Sequence, residues 1–113
     1  MAGFEPYDRD AEAIEREIAC RGMLLGIDWD DTAQLRLLAT EMLDGGAELV
    51  QRLARSSDAR ERARGELFAL AILMQQTMAE SAGRDIHTHG GRVWKALGRA
   101  LFDAAASRRM TNQ

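Results

Sequence analysis

The sequence predicts an all-α protein, an antiparallel bundle of three to four helices around a long hairpin of helix 2 and helix 3. The composition is the first observation, since the chain has one proline and 5% aromatic residues among 113 residues, which favours helix over strand. Apolar residues also recur at helical spacing in several segments. Finally, eight consecutive apolar residues, Leu67 to Met74, place apolar side chains on every side of one helix.

The length is that of one domain, so we expect a single helical domain over residues 1–113 with loose ends at 1–7 and 109–113. Cys20 is the only cysteine, which excludes an internal disulfide and suggests a reducing compartment. No apolar run approaches the roughly 20 residues of a membrane span, and no secretory signal is recognisable. We therefore expect a soluble, cytoplasmic protein, and the preference for arginine over lysine suggests a bacterial one.

Helix 1 is predicted from an apolar face that ends at a glycine. The residues of that face are Ile14, Ile18 and Leu25. We expect Asp8 or Asp10 to cap the start of the helix. Gly26 suits the left-handed position after a helix, where Ile27 would make the closing apolar contact. Cys20 is expected to be a small packed side chain rather than a nucleophile.

Helix 2 is predicted to open after an acidic stretch, with Asp28 or Asp30 as its N-cap. The residues of its apolar seam are Leu35, Leu38, Met42, Leu49 and Leu53. Because the phase of this seam survives Gly45–Gly46, we predict one helix to about Arg55, at a cost of roughly 1 kcal/mol per interior glycine. The alternative is a break at the two glycines and a short helix from Ala47 onward.

Helix 3 is predicted to run from about Ala59 to Ala82 and to stop at Gly83. Asp58 and Glu61 before and within its first turn resemble a capping box. Helix 3 needs more cover than its neighbours supply, because helix 1 is short and acidic. Each large apolar side chain left exposed forfeits roughly 1.5–3 kcal/mol. We therefore expect a homodimer or another protein partner, through Leu67, Phe68, Leu70, Ala71, Ile72, Met74 and Met78.

Helix 4 is predicted to begin between Thr88 and Gly91 and to end near Ala106. Its inward stripe comprises Val93, Leu97, Leu101 and Ala104. Trp94 and Phe102 flank that stripe. Three cations are expected on the solvent side of the helix: Arg92, Lys95 and Arg99.

An up-down-up-down order of the helices would gather charge at one end of the bundle. There the chain ends would meet the turn between helices 2 and 3, which brings together Arg52, Arg55, Arg60, Arg62, Arg64, Arg108 and Arg109. The acidic start of helix 1 would lie at the same end. The simpler interpretation is neutralisation across a solvated surface. The functional interpretation is an anion or nucleic-acid contact.

The loop between helices 3 and 4 carries the pattern D-x-H-x-H, formed by Asp85, His87 and His89. Two imidazoles and a carboxylate are a ligand set for zinc or another divalent ion. Loop histidines beside glycines are more often solvated turn residues. We therefore predict no metal and no cofactor, and keep these three residues as candidates.

Catalytic signatures are missing from the sequence, which has neither a phosphate-binding G-x-x-x-x-G-K-[ST] loop nor a G-x-S-x-G elbow. We therefore predict a non-enzymatic protein-interaction module, a small regulator, adaptor or inhibitor that acts through a helical surface. The first alternative is a nucleic-acid-binding transcriptional regulator that uses the arginine-rich end. The second is a metal-binding protein that uses the loop with the two histidines.

Overall fold

The computed structural model describes residues 5–83 and 90–111, and every regular element in these ranges is an α-helix. The elements are α1 (Glu5–Leu25), α2 (Thr32–Ala54), α3 (Ala59–Gly83) and α4 (Arg92–Thr111). The all-α prediction is confirmed, with four helices. Residues 5–7 and 109–111 are helical rather than loose. Pro6 is compatible with this because it lies in the first turn of α1, where a backbone N–H has no helical acceptor.

The two ends of the connection between α1 and α2 are fixed by local hydrogen bonds. Gly26 has φ +69°, and the N–H groups of Gly26 and Ile27 donate to the carbonyls of Met23 and Gly22 at 3.2 and 2.9 Å. This is the glycine cap that the sequence predicts. The N-cap of α2 is Asp31, whose carboxylate accepts from the N–H of Gln34 at 3.0 Å.

The prediction that Asp28 or Asp30 is the N-cap of α2 is therefore wrong. Asp28 instead accepts a hydrogen bond from the N–H of Asp30 at 2.9 Å through its own side chain. This bond shapes the turn that precedes the helix, since an Asp side chain readily bonds a backbone N–H two residues on.

The prediction of a continuous helix 2 is also wrong, because α2 breaks at Gly46. This residue has φ +59° and ψ −154°, a conformation open almost exclusively to glycine. The break explains how α2 begins and ends near the same end of α1. The guanidinium of Arg60, just inside α3, donates to the carbonyl of Leu25 at 3.2 Å, whereas a straight helix of 23 residues would carry the chain about 34 Å away.

The start of α3 is capped much as predicted. The carboxylate of Asp58 accepts from the N–H of Arg60 at 2.9 Å. The side chain of Glu61 bonds the hydroxyl of Ser56 at 2.6 Å instead of completing a reciprocal capping box. Farther along, a side chain at Gly65 would place its Cβ 2.8 Å from the Cβ of Leu53. A glycine at this position therefore allows α3 to lie close against the end of α2.

The four helices share one apolar core, but consecutive helices are not always neighbours. Among the described residues, α1 packs against α3 and α4, and α2 packs against α3 and α4, whereas α1 and α2 make no close backbone approach. Ion pairs join α4 to Asp30, just before α2, and to Asp44 farther along α2. Their order shows that α2 and α4 run in the same direction. A common direction of α2 and α4 agrees with an up-down-up-down order, but the lack of contact between α1 and α2 differs from the antiparallel neighbours that the short connections predict.

The predicted apolar seams do form the core. The buried residues are Ala11, Ile14, Ile18, Leu35, Ala39, Met42, Leu49, Leu53, Leu67, Phe68, Ala71, Met74, Leu97, Ala100, Leu101 and Ala104. Leu25, Leu38 and Val93 are partly buried against them. No helix within residues 5–83 and 90–111 combines the length and the apolarity that crossing a bilayer requires.

Candidate functional site

A groove of about 410 Å³ lies between the first half of α2 and the middle of α4. Its lining consists of Thr32, Ala33, Leu35, Arg36, Ala96, Arg99, Ala100 and Asp103. Leu35 and Ala100 belong to the buried core and form the floor. The small side chains of Ala33 and Ala96 leave the space between the helices open. This α2–α4 groove was not predicted, because the sequence does not indicate that α2 and α4 lie side by side.

Charged side chains border the α2–α4 groove on both helices. The guanidinium of Arg36 donates to the hydroxyl of Ser107 at 2.6 Å. On α4, Arg99 forms an ion pair with Asp103 at 3.3 Å, and its side chain is 78% exposed. An exposed pair of this kind contributes little to stability, so both groups remain available to a ligand.

The start of α4 is also anchored by charge. Arg92 forms an ion pair with Asp30 at 2.8 Å. The hydrogen bond to that carboxylate and its negative charge raise the pKa of the Arg92 guanidinium above its usual value.

A stripe of residues at spacings of three and four follows the outer side of α4: Arg92, Lys95, Arg99 and Phe102. The side chain of Phe102 is 66% exposed. The basic stripe of the prediction is thus solvent-facing and includes an aromatic side chain.

A carboxylate of α1 holds the N-terminus of α4. The two side-chain oxygens of Glu15 accept hydrogen bonds from the N–H groups of Gly91 and Trp94, at 2.7 and 2.9 Å. A carboxylate at this position satisfies backbone donors that have no partner within the helix. Because this contact fixes where α4 begins, it also helps to set the position of the groove wall.

The residues predicted as a partner or dimer interface lie mostly in the core. Leu67, Phe68, Ala71 and Met74 are at most 1% exposed, and Leu70, Ile72 and Met78 are partly buried against the core. The helices of the chain itself therefore cover the apolar run of α3. Leu73 is the one large apolar side chain that α3 exposes, at 45%. The homodimer itself remains a prediction.

Several members of the predicted arginine cluster make polar contacts within the chain. Arg64 and Arg108 form ion pairs with Glu41 and Asp44 of α2, at 2.5 and 3.0 Å. Arg62 donates to the carbonyl of Ser56 at 2.8 Å.

Arg60 shows that the end of α1, not its acidic start, lies beside the turn between α2 and α3, because it donates to the carbonyls of Leu24 and Leu25. The placement of the acidic start of helix 1 beside this turn is therefore wrong, since the break in α2 redirects the chain. Arg52, Arg55 and Arg109 are exposed. A nucleic-acid contact through this end remains a prediction.

Asp85, His87 and His89 lie outside the described residues. Within residues 5–83 and 90–111 there is no group of three His, Cys, Asp or Glu side chains arranged to hold a metal ion. Cys20 is exposed rather than packed, so that prediction is wrong. It lies on the solvent side of α1, on which Met23 and Leu24 are also exposed.

Comparison with known proteins adds no family to this description. No protein-family model, no curated protein and no solved structure matches the chain.

Proposed function

We propose that the chain is a non-enzymatic protein-interaction module that binds a helical segment of another protein in the α2–α4 groove. The observation that carries the proposal is the open space of about 410 Å³ over a floor of Leu35 and Ala100. This volume is in the range of pockets that accept large apolar groups. A groove between two helices that has an apolar floor is also a recurrent binding site for the apolar face of a third helix.

The spacing of residues along the two walls supports a helical ligand. On α2, Ala33, Arg36 and Thr40 follow one another at intervals of three and four, so they lie on one side of the helix. On α4, the same spacing joins Arg92, Ala96, Arg99, Asp103, Ala106 and Met110. Met110, at the end of this series, is 78% exposed. The two series form long walls rather than a closed cavity, which suits an elongated ligand.

The chemistry of the lining favours binding over catalysis. Among the described residues, the lining of the groove presents two guanidinium groups, one carboxylate and one hydroxyl, but no thiol and no imidazole. Nucleophilic and acid–base mechanisms usually place such groups within hydrogen-bond distance of one another. Here the exposed carboxylate of Asp103 is paired with Arg99 instead.

The proposal is tested by filling the groove without disturbing the core. Ala33→Trp introduces a large side chain at an exposed groove position, and Ala79→Trp introduces the same side chain at an exposed position of α3. We expect affinity capture from the native host to recover the same partner with the wild-type chain and with Ala79→Trp, but not with Ala33→Trp. Circular dichroism verifies that both variants fold. Equal capture by all three chains would refute the proposed site.

A further inference from the structure

We infer that the segment bound in the α2–α4 groove is an acidic amphipathic helix of another protein, an inference that rests on the proposed function. Its apolar residues would enter the space above Leu35 and Ala100, and its carboxylates would meet the cations along the walls. The inference depends on two observations: the balance of charge at the groove, and the lack of a described carboxylate partner for the guanidinium of Arg36.

The α2–α4 groove and the adjoining side of α4 carry more positive than negative charge. The cations are Arg36, Arg92, Lys95 and Arg99. The described carboxylates beside them are those of Asp28 and Asp30, which lie near Arg92, and that of Asp103, which pairs with Arg99. One positive charge is therefore left over although the whole chain has a net charge of −3. Such complementarity selects ligands of opposite charge and speeds their encounter.

Arg36 is the cation best placed to bind a carboxylate. Its one hydrogen bond among the described side chains goes to a neutral hydroxyl, that of Ser107. No described carboxylate lies within ion-pair distance of it. A guanidinium has five N–H donors in a plane and can bind both oxygens of a carboxylate at once. An incoming Glu or Asp can therefore pair with Arg36 without breaking an existing ion pair.

The floor of the groove requires an apolar side chain on the same ligand. Leu35 and Ala100 expose no polar side-chain group, and Ala33 and Ala96 are too small to close the space. A Leu, Met or Phe side chain of the ligand would fill this space, because a buried side chain of that size contributes roughly 1.5–3 kcal/mol. The ligand must then carry apolar residues at spacings of three and four, with acidic residues beside them, which defines an acidic amphipathic helix.

A displayed library of helical 20-residue peptides, randomised on one face, tests the inference with the full chain as target. Peptides are selected on the wild-type chain and counter-selected on Ala33→Trp, so that only groove-dependent binders remain. We expect the survivors to carry apolar residues at intervals of three and four with Asp or Glu beside them. Groove-dependent survivors that are neutral or basic would overturn the acidic partner and leave the proposed function intact. Absence of any groove-dependent survivor would count against the proposed function.

The contribution of Arg36 is then measured with one selected peptide. Arg36→Glu should weaken its binding about tenfold or more, since removing or reversing a close charge partner has an effect of that order. Replacing the facing Glu of the peptide by Lys should restore binding to Arg36→Glu. Arg52→Glu is the matched control, because it makes the same charge change at an exposed position in the second segment of α2. Equal weakening by both variants, or no rescue, would overturn the assignment.

Two other occupants would also overturn the inference. If a second copy of this chain fills the groove, Ala33→Trp changes the mass measured by light scattering from dimer to monomer. If nucleic acid fills it, a fluorescent 20-nucleotide duplex binds the wild-type chain at low salt and not Ala33→Trp, and its affinity falls steeply as salt rises. We expect neither change.

Discussion

The carboxylate of Glu15 lies 2.9 Å from the backbone N–H of Trp94 and bonds it across 79 positions of sequence. Its other oxygen accepts from the N–H of Gly91 at 2.7 Å. Glu15 thus performs for α4 the task that an N-cap side chain usually performs from within its own helix. This contact joins the middle of α1 to the start of α4.

Removal of this carboxylate should destabilise the protein. For Glu15→Ala we expect the free energy of unfolding to fall by about 1–2 kcal/mol, because two backbone donors lose their acceptor and the helix dipole loses a facing charge. Chemical denaturation monitored by circular dichroism measures the change. Glu12→Ala, at an exposed position of the same helix, should change stability by less than about 0.5 kcal/mol. Equal effects of the two substitutions would contradict the capping role.

The break in α2 should tolerate only glycine. Gly46→Ala should lower the free energy of unfolding by about 1–3 kcal/mol, because a Cβ is strained at φ +59°. Gly83→Ala is the control, since Gly83 is exposed at the end of α3 and a Cβ there would meet nothing within 4 Å. We expect that control to be neutral or slightly stabilising. If Gly46→Ala stabilised the protein in a urea titration, a continuous α2 would be the better description.

The apolar run of α3 should behave as core. Phe68→Ala is expected to reduce the free energy of unfolding by about 3–5 kcal/mol, since Phe68 is 1% exposed and its removal leaves a cavity. Leu73→Ala, on the exposed side of the same helix, should cost much less. Thermal denaturation at several protein concentrations distinguishes burial of Phe68 in the core of one chain from burial in a dimer. The midpoint depends on protein concentration only if unfolding also separates two chains.

The homodimer is tested independently by size-exclusion chromatography with light scattering. Two copies of the 12.5 kDa chain should give twice the monomer mass at micromolar concentration. The side chains available for such an interface on α3 are Leu73 and the partly buried Leu70, Ile72 and Met78. A monomer mass across the concentration range would refute the dimer.

Much of the fold follows from local sequence. The apolar spacing predicts the seams of all four helices, and Gly26 predicts the end of α1, because a left-handed residue after a helix is a local requirement. The N-cap of α2 does not follow from local sequence alone. Asp28, Asp30 and Asp31 are chemically equivalent as caps, and the choice of Asp31 depends on how the turn between α1 and α2 closes.

The candidate site could not be predicted in the same way. Its two walls come from α2 and α4, and nothing in the spacing of either helix states which neighbour it will have. The arginines illustrate the same limit. The prediction places Arg64 and Arg108 beside helix 1, but they pair with Glu41 and Asp44 of α2, because ion pairs form between whichever side chains the packing brings together.

The sequence by itself determined the helices, their apolar faces and the local signals at several of their ends, since these depend on backbone propensity and on a period of 3.6 residues. Only the tertiary structure decided that α2 breaks at Gly46, that Glu15 caps α4, and that α2 and α4 enclose a groove. The sequence Gly45–Gly46 is compatible with a continuous helix and with a break. The packing of α2 against the other helices therefore decides which of the two forms.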